Sequence, residues 1–231
     1  MAKTAILVDG GFYRKRAELL WGPMSPIDRA NELRTYCRAH INTRDGAHSR
    51  QLYRVFYYDC PPINKKIFHP LHDRTIDFGK TDLFGWANEF LDQLKKQRKF
   101  AVRLGRLSEP TAYYALRSDT IKSLFRGKKT VAELNEHDFS LSVEQKGVDM
   151  KIGLDIASLS YKKQVDQIIL ISGDSDFVPA AKLARREGID FILDPMWAPI
   201  KPDLFEHIDG LRSPWRKGEQ NHPKNLCEED L

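Results

Sequence analysis

Hydrophobic and polar positions alternate along the chain in blocks that predict strands and helices in turn. Short aliphatic or aromatic runs predict strands at residues 4–8, 51–59, 100–107, 168–172 and 190–193. Apolar residues at helical spacing predict helices at residues 26–41, 81–99, 118–126, 147–163 and 177–187. This alternation favours an α/β fold with an open, mostly parallel sheet and helices on both faces.

Composition indicates a globular protein that does not enter a membrane. The chain has 231 residues and a hydrophobic fraction of 41%, which is enough for a sizeable core. Nowhere do about 18 uncharged apolar residues follow one another, as a membrane-spanning helix would require. Cys37, Cys60 and Cys227 are odd in number, widely spaced and without a CxxC pair. This pattern argues against a disulfide framework and a cysteine-based zinc site, so we expect a reducing, cytoplasmic location.

Positive charge is concentrated in two short stretches. The net charge is +5, and basic residues cluster in LKKQRKFAVRLGR (94–106) and FRGKK (125–129). The ordinary explanation of such runs is a solvated helix face, and the alternative is a surface that neutralises phosphate groups. Within the first stretch, Lys95, Lys96 and Arg98 are the candidates for phosphate contact.

Acidic residues follow the predicted buried strands. Asp9 comes directly after the first strand, and Asp174 and Asp176 follow IILIS in the sequence GDSD. If those two strands are neighbours in a parallel sheet, all three acids emerge at one edge. Asp149 opens the helix that leads back into IILIS, at the tip of its apolar face, so its side chain can reach the same edge.

The grouped carboxylates predict a binding site for a divalent cation. Unpaired carboxylates brought together repel one another and raise each other's pKa unless a cation is present. Oxygen ligands without cysteine or clustered histidine select Mg²⁺ or Mn²⁺ over zinc. Asp155 is a secondary candidate, because its position beside the apolar stripe suits a buried hydrogen-bonding partner better than a ligand.

Each acid also has a purely structural explanation. Asp9 could shape a turn, Asp174 or Asp176 could cap the next helix, and Asp149 could cap its own helix. Capping needs only one acid, whereas GDSD supplies two, and this favours the cation site. Other chemistries have weaker support, since the chain contains no GxSxG, GxGxxG or GxxxxGK[ST] motif.

Three motifs carry a resemblance to a known family. ILVDGGF, KGVDMKIGLDIASLS and IILISGDSDFVPAAKLARREGIDFIL resemble the NYN domain family of the PIN-like nuclease superfamily. The resemblance covers the first strand and residues 146–194, and it implies a Rossmann-like parallel sheet with strand order 3-2-1-4-5 and a metal-dependent ribonuclease site. It implies that Asp9, Asp149, Asp174 and Asp176 are catalytic and bind the metal, with Lys146 and Ser172 beside them. The candidates for substrate binding are Lys146, Ser172, Arg14, Lys95, Lys96 and Arg98.

The resemblance also predicts the domain organisation. Residues 1–211 are expected to form one PIN-like domain, in which residues 63–145 match poorly and form an insertion after the second strand. Residues 212–231 lack periodicity and are expected to be a flexible tail.

The leading hypothesis is a Mg²⁺- or Mn²⁺-dependent endoribonuclease that uses activated water, with RNA as partner and DNA also open. A catalytically idle RNA-binding or adaptor module with the same fold is an alternative. A haloacid-dehalogenase-like phosphatase is a weaker one, because Asp9 is followed by Gly10 and Gly11 instead of a second Asp two positions on.

Overall fold

The structure is a computed structural model that describes residues 2–42 and 50–215. The strands are β1 Ala2–Asp9, β2 Arg50–Asp59, β3 Lys66–His69, β4 Arg74–Asp77, β5 Phe100–Leu104, β6 Arg106–Leu107, β7 Tyr113–Leu116, β8 Phe139–Ser142, β9 Gln145–Lys146, β10 Gln167–Ile171, β11 Asp190–Asp194 and β12 Gly210–Leu211. The helices are α1 Gly10–Trp21, α2 Pro26–Ile41, α3 Asp82–Lys96, α4 Ser118–Phe125, α5 Val148–Tyr161, α6 Val178–Arg186 and α7 Pro202–Glu206.

Within these described residues, a six-stranded parallel sheet forms the centre of the α/β fold. Its strand order is β12-β11-β10-β1-β2-β5. If the strands of this sheet are numbered in chain order, the order from β5 to β11 is 3-2-1-4-5, as the resemblance implied. The sixth strand, β12, lies beside β11. The order of the strands reverses between β1 and β10, which is where ligands bind in sheets of this kind.

The strands at the centre of the sheet are apolar because both of their faces are covered. All five residues of β10 and residues 4–8 of β1 are buried. Side chains alternate between the two faces of a strand, so complete burial requires packing on each side. The buried stripe of α5, which includes Ile152, Ile156 and Leu159, supplies part of that packing.

Helix α1 was not predicted, because it begins with two glycines. Asp9 caps it by accepting a hydrogen bond from the Phe12 backbone amide. A Cβ atom on Gly10 would lie 2.6 Å from the Tyr58 carbonyl oxygen, so glycine lets the helix begin against β2. Close packing therefore outweighs the low helix propensity of glycine at this position.

Two predicted boundaries shift for local reasons. The helix predicted at 81–99 ends at Lys96, where a turn follows that contains Lys99 with φ of 66°. The strand predicted at 100–107 is divided into β5, which joins the main sheet, and β6, which pairs with β9.

The chain divides into two compact units. The sheet unit comprises the described parts of Met1–Asp59, Glu89–Gly105 and Gly147–Leu231. The second unit comprises Cys60–Asn88 and Arg106–Lys146. Residues 63–145, expected as one insertion, thus contribute residues 89–105 to the sheet unit.

The second unit contains short antiparallel strand pairs, α4 and the first part of α3. Its pairs are β3 with β4, β6 with β9, and β7 with β8. Asp138 is buried in this unit and forms an ion pair with Lys129. The Asp138 carboxylate also accepts hydrogen bonds from the Thr120 hydroxyl, at 3.0 Å, and the Asn135 amide, at 2.8 Å.

The folded part of the chain extends beyond residue 211. Trp215 is buried against Trp21 and Tyr36, with ring centroids 5.0 Å apart in each pair. Ser213 donates a hydrogen bond of 2.6 Å to Asp194. Residues 212–215, expected as the start of a flexible tail, are therefore packed, and residues 216–231 lie outside the described residues.

Two further features concern the cysteines and the lengths of the helices. Cys37 and Cys60 are buried free thiols, and Cys227 lies outside the described residues. Across residues 2–42 and 50–215, no helix is both long enough and apolar enough to cross a bilayer.

Candidate functional site

The register of the sheet brings Asp9 next to Ser172. Val8 of β1 pairs with Ile171 of β10, so the residues that follow them are neighbours at the carboxyl edge. The buried Ser172 hydroxyl donates a hydrogen bond of 3.2 Å to one carboxylate oxygen of Asp9. The other oxygen of Asp9 accepts the Phe12 amide at 3.0 Å, as the cap of α1. Asp9 is thus held by both of its oxygens.

The GDSD turn is connected to the same serine. The Asp174 amide donates to the Ser172 hydroxyl oxygen at 3.3 Å, and the Asp174 carboxylate accepts the Asp176 amide at 3.0 Å. A Cβ atom on Gly173 would lie 2.8 Å from the Phe12 ring, so a larger residue would displace the turn. Ser172 therefore links the acid after β1 to the turn after β10, while Asp174 and Asp176 remain exposed.

Asp149 lies in the first turn of α5 and is exposed. Loss of part of the hydration of its carboxyl group raises the pKa, and the negative charges of Asp174 and Asp176 raise that pKa further. The helix and the GDSD turn therefore bring their carboxylates within electrostatic reach of one another.

The pKa of Asp9 is also raised. Burial is the largest cause, and the charges of Asp149 and Asp59 add to it, whereas the hydrogen bonds from Phe12 and Ser172 lower the pKa. These interactions connect all four predicted acids, since Asp9 interacts with Asp149, and Asp149 with the other two. Their mutual repulsion would be relieved by a cation.

Capping accounts for only part of this acidic group. Asp9 caps α1 and Asp174 caps the 3₁₀ turn Ser175–Phe177, as the structural explanation predicted. Within the described part of the chain, Asp149 and Asp176 make no capping hydrogen bond through their side chains. Two of the four acids thus remain available for another role.

The donor chemistry fits a hard divalent cation. The candidates offer carboxylate oxygens, and Mg²⁺ commonly takes one or two carboxylates and fills its remaining positions with water. Across the described residues, no three His, Cys, Asp or Glu side chains form a group that could hold a metal ion together. The arrangement therefore fits a cation held by a pair of carboxylates and water more closely than one enclosed by all four.

Two other predicted residues are occupied by contacts within the sheet unit. Arg14 forms an ion pair of 3.0 Å with the buried Asp59. Asp155 accepts a hydrogen bond from the Tyr58 hydroxyl at 2.7 Å and pairs with Arg103 at 2.7 Å. Asp155 thus has the hydrogen-bonding role that sequence analysis favoured for it.

The predicted basic residues occupy different places. Lys146 belongs to the second unit, where it pairs with Glu144 at 3.2 Å. Lys95 is exposed on α3 and pairs with Asp92 at 2.8 Å. Lys96 and Arg98 line a cavity beside α2.

Sequence reasoning missed Lys201. Its ammonium group donates a hydrogen bond of 3.0 Å to the Ser175 hydroxyl, between the two acids of the GDSD turn. Lys201 precedes α7 and belongs to none of the three motifs, so only the packing of α7 reveals its position.

A cavity of about 390 Å³ adjoins the acidic group. Asp149 and Asp176 lie on its wall together with the apolar side chains of Met150, Pro179 and Leu183. Sites for small ligands commonly have volumes of roughly 300–1,000 Å³ and combine apolar walls with a few polar groups. The acids therefore border a space that could hold part of a substrate.

Comparisons with known proteins agree with the motifs. The NYN domain family model matches residues 84–198, which contain Asp149, Asp174 and Asp176 but not Asp9. No curated protein matched this chain. A crystal structure from Vibrio parahaemolyticus RIMD 2210633, described as a protein of unknown function VPA0982, is 15% identical over 91% of each chain with a TM-score of 0.45. That similarity is too low to inform function.

NYN domains have a PIN-like nuclease fold, and the parallel sheet described above fits that fold. Three of the four acids lie within the matched residues. By its motifs and by this match, the chain belongs to the NYN domain family.

Proposed function

We propose that the protein is a divalent-metal-dependent endoribonuclease whose reaction takes place at Asp9, Asp149, Asp174 and Asp176. The observation that carries the proposal is the electrostatic coupling of these acids at the carboxyl edge of the sheet, where Asp149 raises the pKa of Asp9 and is itself affected by the GDSD turn. Without a cation, such coupling opposes ionisation and makes the folded protein less stable.

A pair of carboxylates drawn from Asp149 and the GDSD acids would hold Mg²⁺ or Mn²⁺ together with water, and Asp9 would lie beside them. When bound, the cation would supply a Lewis acid for a phosphate oxygen and lower the pKa of a water ligand. Asp9 is positioned by Ser172 and Phe12 to accept a proton or a hydrogen bond at its carboxylate.

The surroundings of the acids suit a nucleic acid substrate. The Lys201 ammonium group lies beside the GDSD turn, where it could neutralise a phosphate charge. The cavity lined by Met150, Pro179 and Leu183 offers an apolar surface for a ribose or a base next to the carboxylates. RNA is the proposed partner, and the buried free thiols of Cys37 and Cys60 suit the reducing cytoplasm.

Cleavage of labelled single-stranded and structured RNA, with Mn²⁺, Mg²⁺ or EDTA, tests this function. Asp149→Asn and Asp174→Asn should lower the cleavage rate by at least about 10²-fold, because each removes a charge that stabilises the bound cation. Asp92→Asn is the matched control, since Asp92 is an exposed acid on α3 and should retain wild-type activity. A DNA strand of the same sequence would measure the preference for RNA.

Equal cleavage by wild type and both acid variants would contradict the proposal. RNA binding without cleavage under any metal condition would instead identify an RNA-binding module with this fold.

A further inference from the structure

A second concave site lies in the sheet unit, between α2 and the turn that follows α3. Its volume is about 840 Å³. Among the described residues that line it, none is acidic, whereas five are basic: Arg34, Arg38, Lys96, Arg98 and Lys99. The cavity is therefore a local concentration of positive charge.

One wall of the cavity is a continuous face of α2. Asn31, Arg34 and Arg38 follow one another at intervals of three and four residues, between Ile27 and Ile41. This spacing places them on one side of a helix. From Ile27 to Ile41 the face is roughly 21 Å long, at 1.5 Å per residue.

The opposite wall is a turn that is attached to α2 and β2. The Gln97 side-chain amide donates a hydrogen bond of 2.9 Å to the Ala30 carbonyl oxygen of α2. Lys99 has a left-handed backbone, with φ of 66°, and its ammonium group donates to the Leu52 carbonyl oxygen. These bonds hold the two walls together, so the cavity does not depend on a ligand to form it.

The arginines at the rim have charge available for a ligand. Arg34, Arg38 and Arg98 are exposed, and within residues 2–42 and 50–215 none of them pairs with a carboxylate. A concave surface lined by one sign of charge attracts oppositely charged ligands more strongly than a flat one. The expected ligand is therefore an anion.

The uncharged residues that line the cavity add a second requirement. Leu52, Val55 and Phe100 supply apolar surface, and Asn31 and Gln93 supply amide groups. A ligand that complements all these groups combines a flat apolar body, hydrogen-bonding edges and phosphate. Arginine binds phosphate with paired hydrogen bonds, and a base can lie on apolar side chains.

We propose that this cavity binds a nucleoside phosphate, either free or as part of an RNA strand. It lies at the amino end of β5, whereas the acidic group lies at the carboxyl edge of the sheet. The five residues of β5, Phe100–Leu104, alone span about 13 Å between these ends. The inference goes beyond the proposed cleavage and does not require it.

The test is binding in EDTA, which removes metal-dependent cleavage. Nucleoside monophosphates and a short labelled single-stranded RNA are titrated into the full chain by calorimetry and fluorescence anisotropy. The double variant Arg34→Gln/Arg38→Gln and the single variant Arg98→Gln should each weaken binding by about 10-fold or more, the usual cost of losing hydrogen bonds to a charged group. Arg186→Gln, an exposed arginine on α6, is the matched control and should bind like wild type.

The two probes distinguish the source of the ligand. If the arginine variants bind the mononucleotides more weakly than wild type does, the ligand is a free nucleotide. If they bind only the RNA more weakly, the ligand is a strand that needs several contacts. Unchanged binding of both probes by the folded variants, or no binding by wild type, would overturn the inference. Asp149→Asn should leave this binding intact, so failure of the cleavage proposal remains a separate result.

Discussion

Ser172 has a central place in the acidic group, although its side chain is fully buried. Its hydroxyl donates to Asp9 and accepts from the Asp174 amide, so a single side chain connects the ends of β1 and β10. A hydroxyl can do this because it carries both a donor and acceptor lone pairs. Under the proposed function, Ser172 would therefore be a positioning residue for the acids rather than a nucleophile.

Replacing Ser172 with alanine should lower RNA cleavage by about 10–100-fold while leaving the fold intact, as loss of an outer-shell partner does at metal sites. The hydrogen bond from Ser172 lowers the pKa of Asp9, so its loss should raise that pKa. Asp9 then ionises only at higher pH, and the acidic limb of the pH–rate profile should move upward.

The neighbouring hydroxyl provides the control. Ser175 accepts a hydrogen bond from Lys201 and makes none with Asp9 among the described contacts. The Ser175→Ala variant should therefore leave the pH–rate profile unshifted. An unchanged profile for Ser172→Ala would exclude the positioning role.

Among the secondary-structure elements, the sequence predicts best those for which local propensity and long-range packing favour the same conformation. Helix α2 has the predicted bounds Pro26–Ile41, because the Ser25 hydroxyl caps it and Pro26 suits its first turn. Helix α1 was missed because Gly10 is required by its close approach to Tyr58, and these two residues are far apart in the chain. The turn at Lys99 was missed because a lysine with positive φ has no sequence signal.

In the acidic group, too, local patterns in the sequence predict some features, and contacts that depend on packing are missed. The positions of Asp9, Asp174 and Asp176 follow from strands whose ends could be located in the sequence, and that of Asp149 follows from the predicted start of α5. The bond between Lys201 and Ser175 depends on the packing of α7, and the contact between Arg14 and Asp59 depends on the register of α1 against β2. Neither of these contacts has a periodic pattern from which it could be predicted.

Asp138 provides a prediction for the second unit. The ion pair with Lys129 is the largest cause that lowers the pKa of Asp138 below its ordinary value of 3.8, and the Asn135 amide and the Thr120 hydroxyl lower it further. A depressed carboxyl pKa stabilises the folded state above the unfolded pKa, and this contribution is lost as pH falls through the folded pKa. Asp138→Asn should therefore unfold at lower denaturant concentration than wild type at pH 7, and the difference should shrink below about pH 3.8.

A double-mutant cycle with Lys129→Met checks the cause, because residues that act as a pair are not additive. Adding Asp138→Asn to Lys129→Met should cost less stability than it costs the wild type. Full additivity at pH 7 would contradict the assigned ion pair.

For the whole molecule, the acidic group should link stability to divalent cations. A ligand that binds only the folded state raises its stability, by about 2.7 kcal/mol at a concentration 100 times its Kd. Mn²⁺ or Mg²⁺ should therefore raise the Tm of the wild type at pH 7, and EDTA should reverse the change.

The Tm of the Asp149→Asn variant should increase less than that of the wild type when metal is added. Its Tm without metal should be equal to or above that of wild type, because the raised pKa of Asp149 means that its ionised form costs stability once the pH exceeds the folded pKa. Asp92→Asn should respond to metal like wild type. A metal-induced increase of the same size in Asp149→Asn would show that the cation binds elsewhere.

The strand order of the sheet has a consequence for a growing chain. β1 (Ala2–Asp9) and β10 (Gln167–Ile171) lie side by side, although they are far apart in the sequence. During translation β1 must wait until Gln167–Ile171 has been made before its neighbour β10 exists, and contacts between residues so distant in sequence form slowly. A nascent chain that still lacks β10 has no assembled acidic edge, so under the proposed function it could not cleave RNA at that stage.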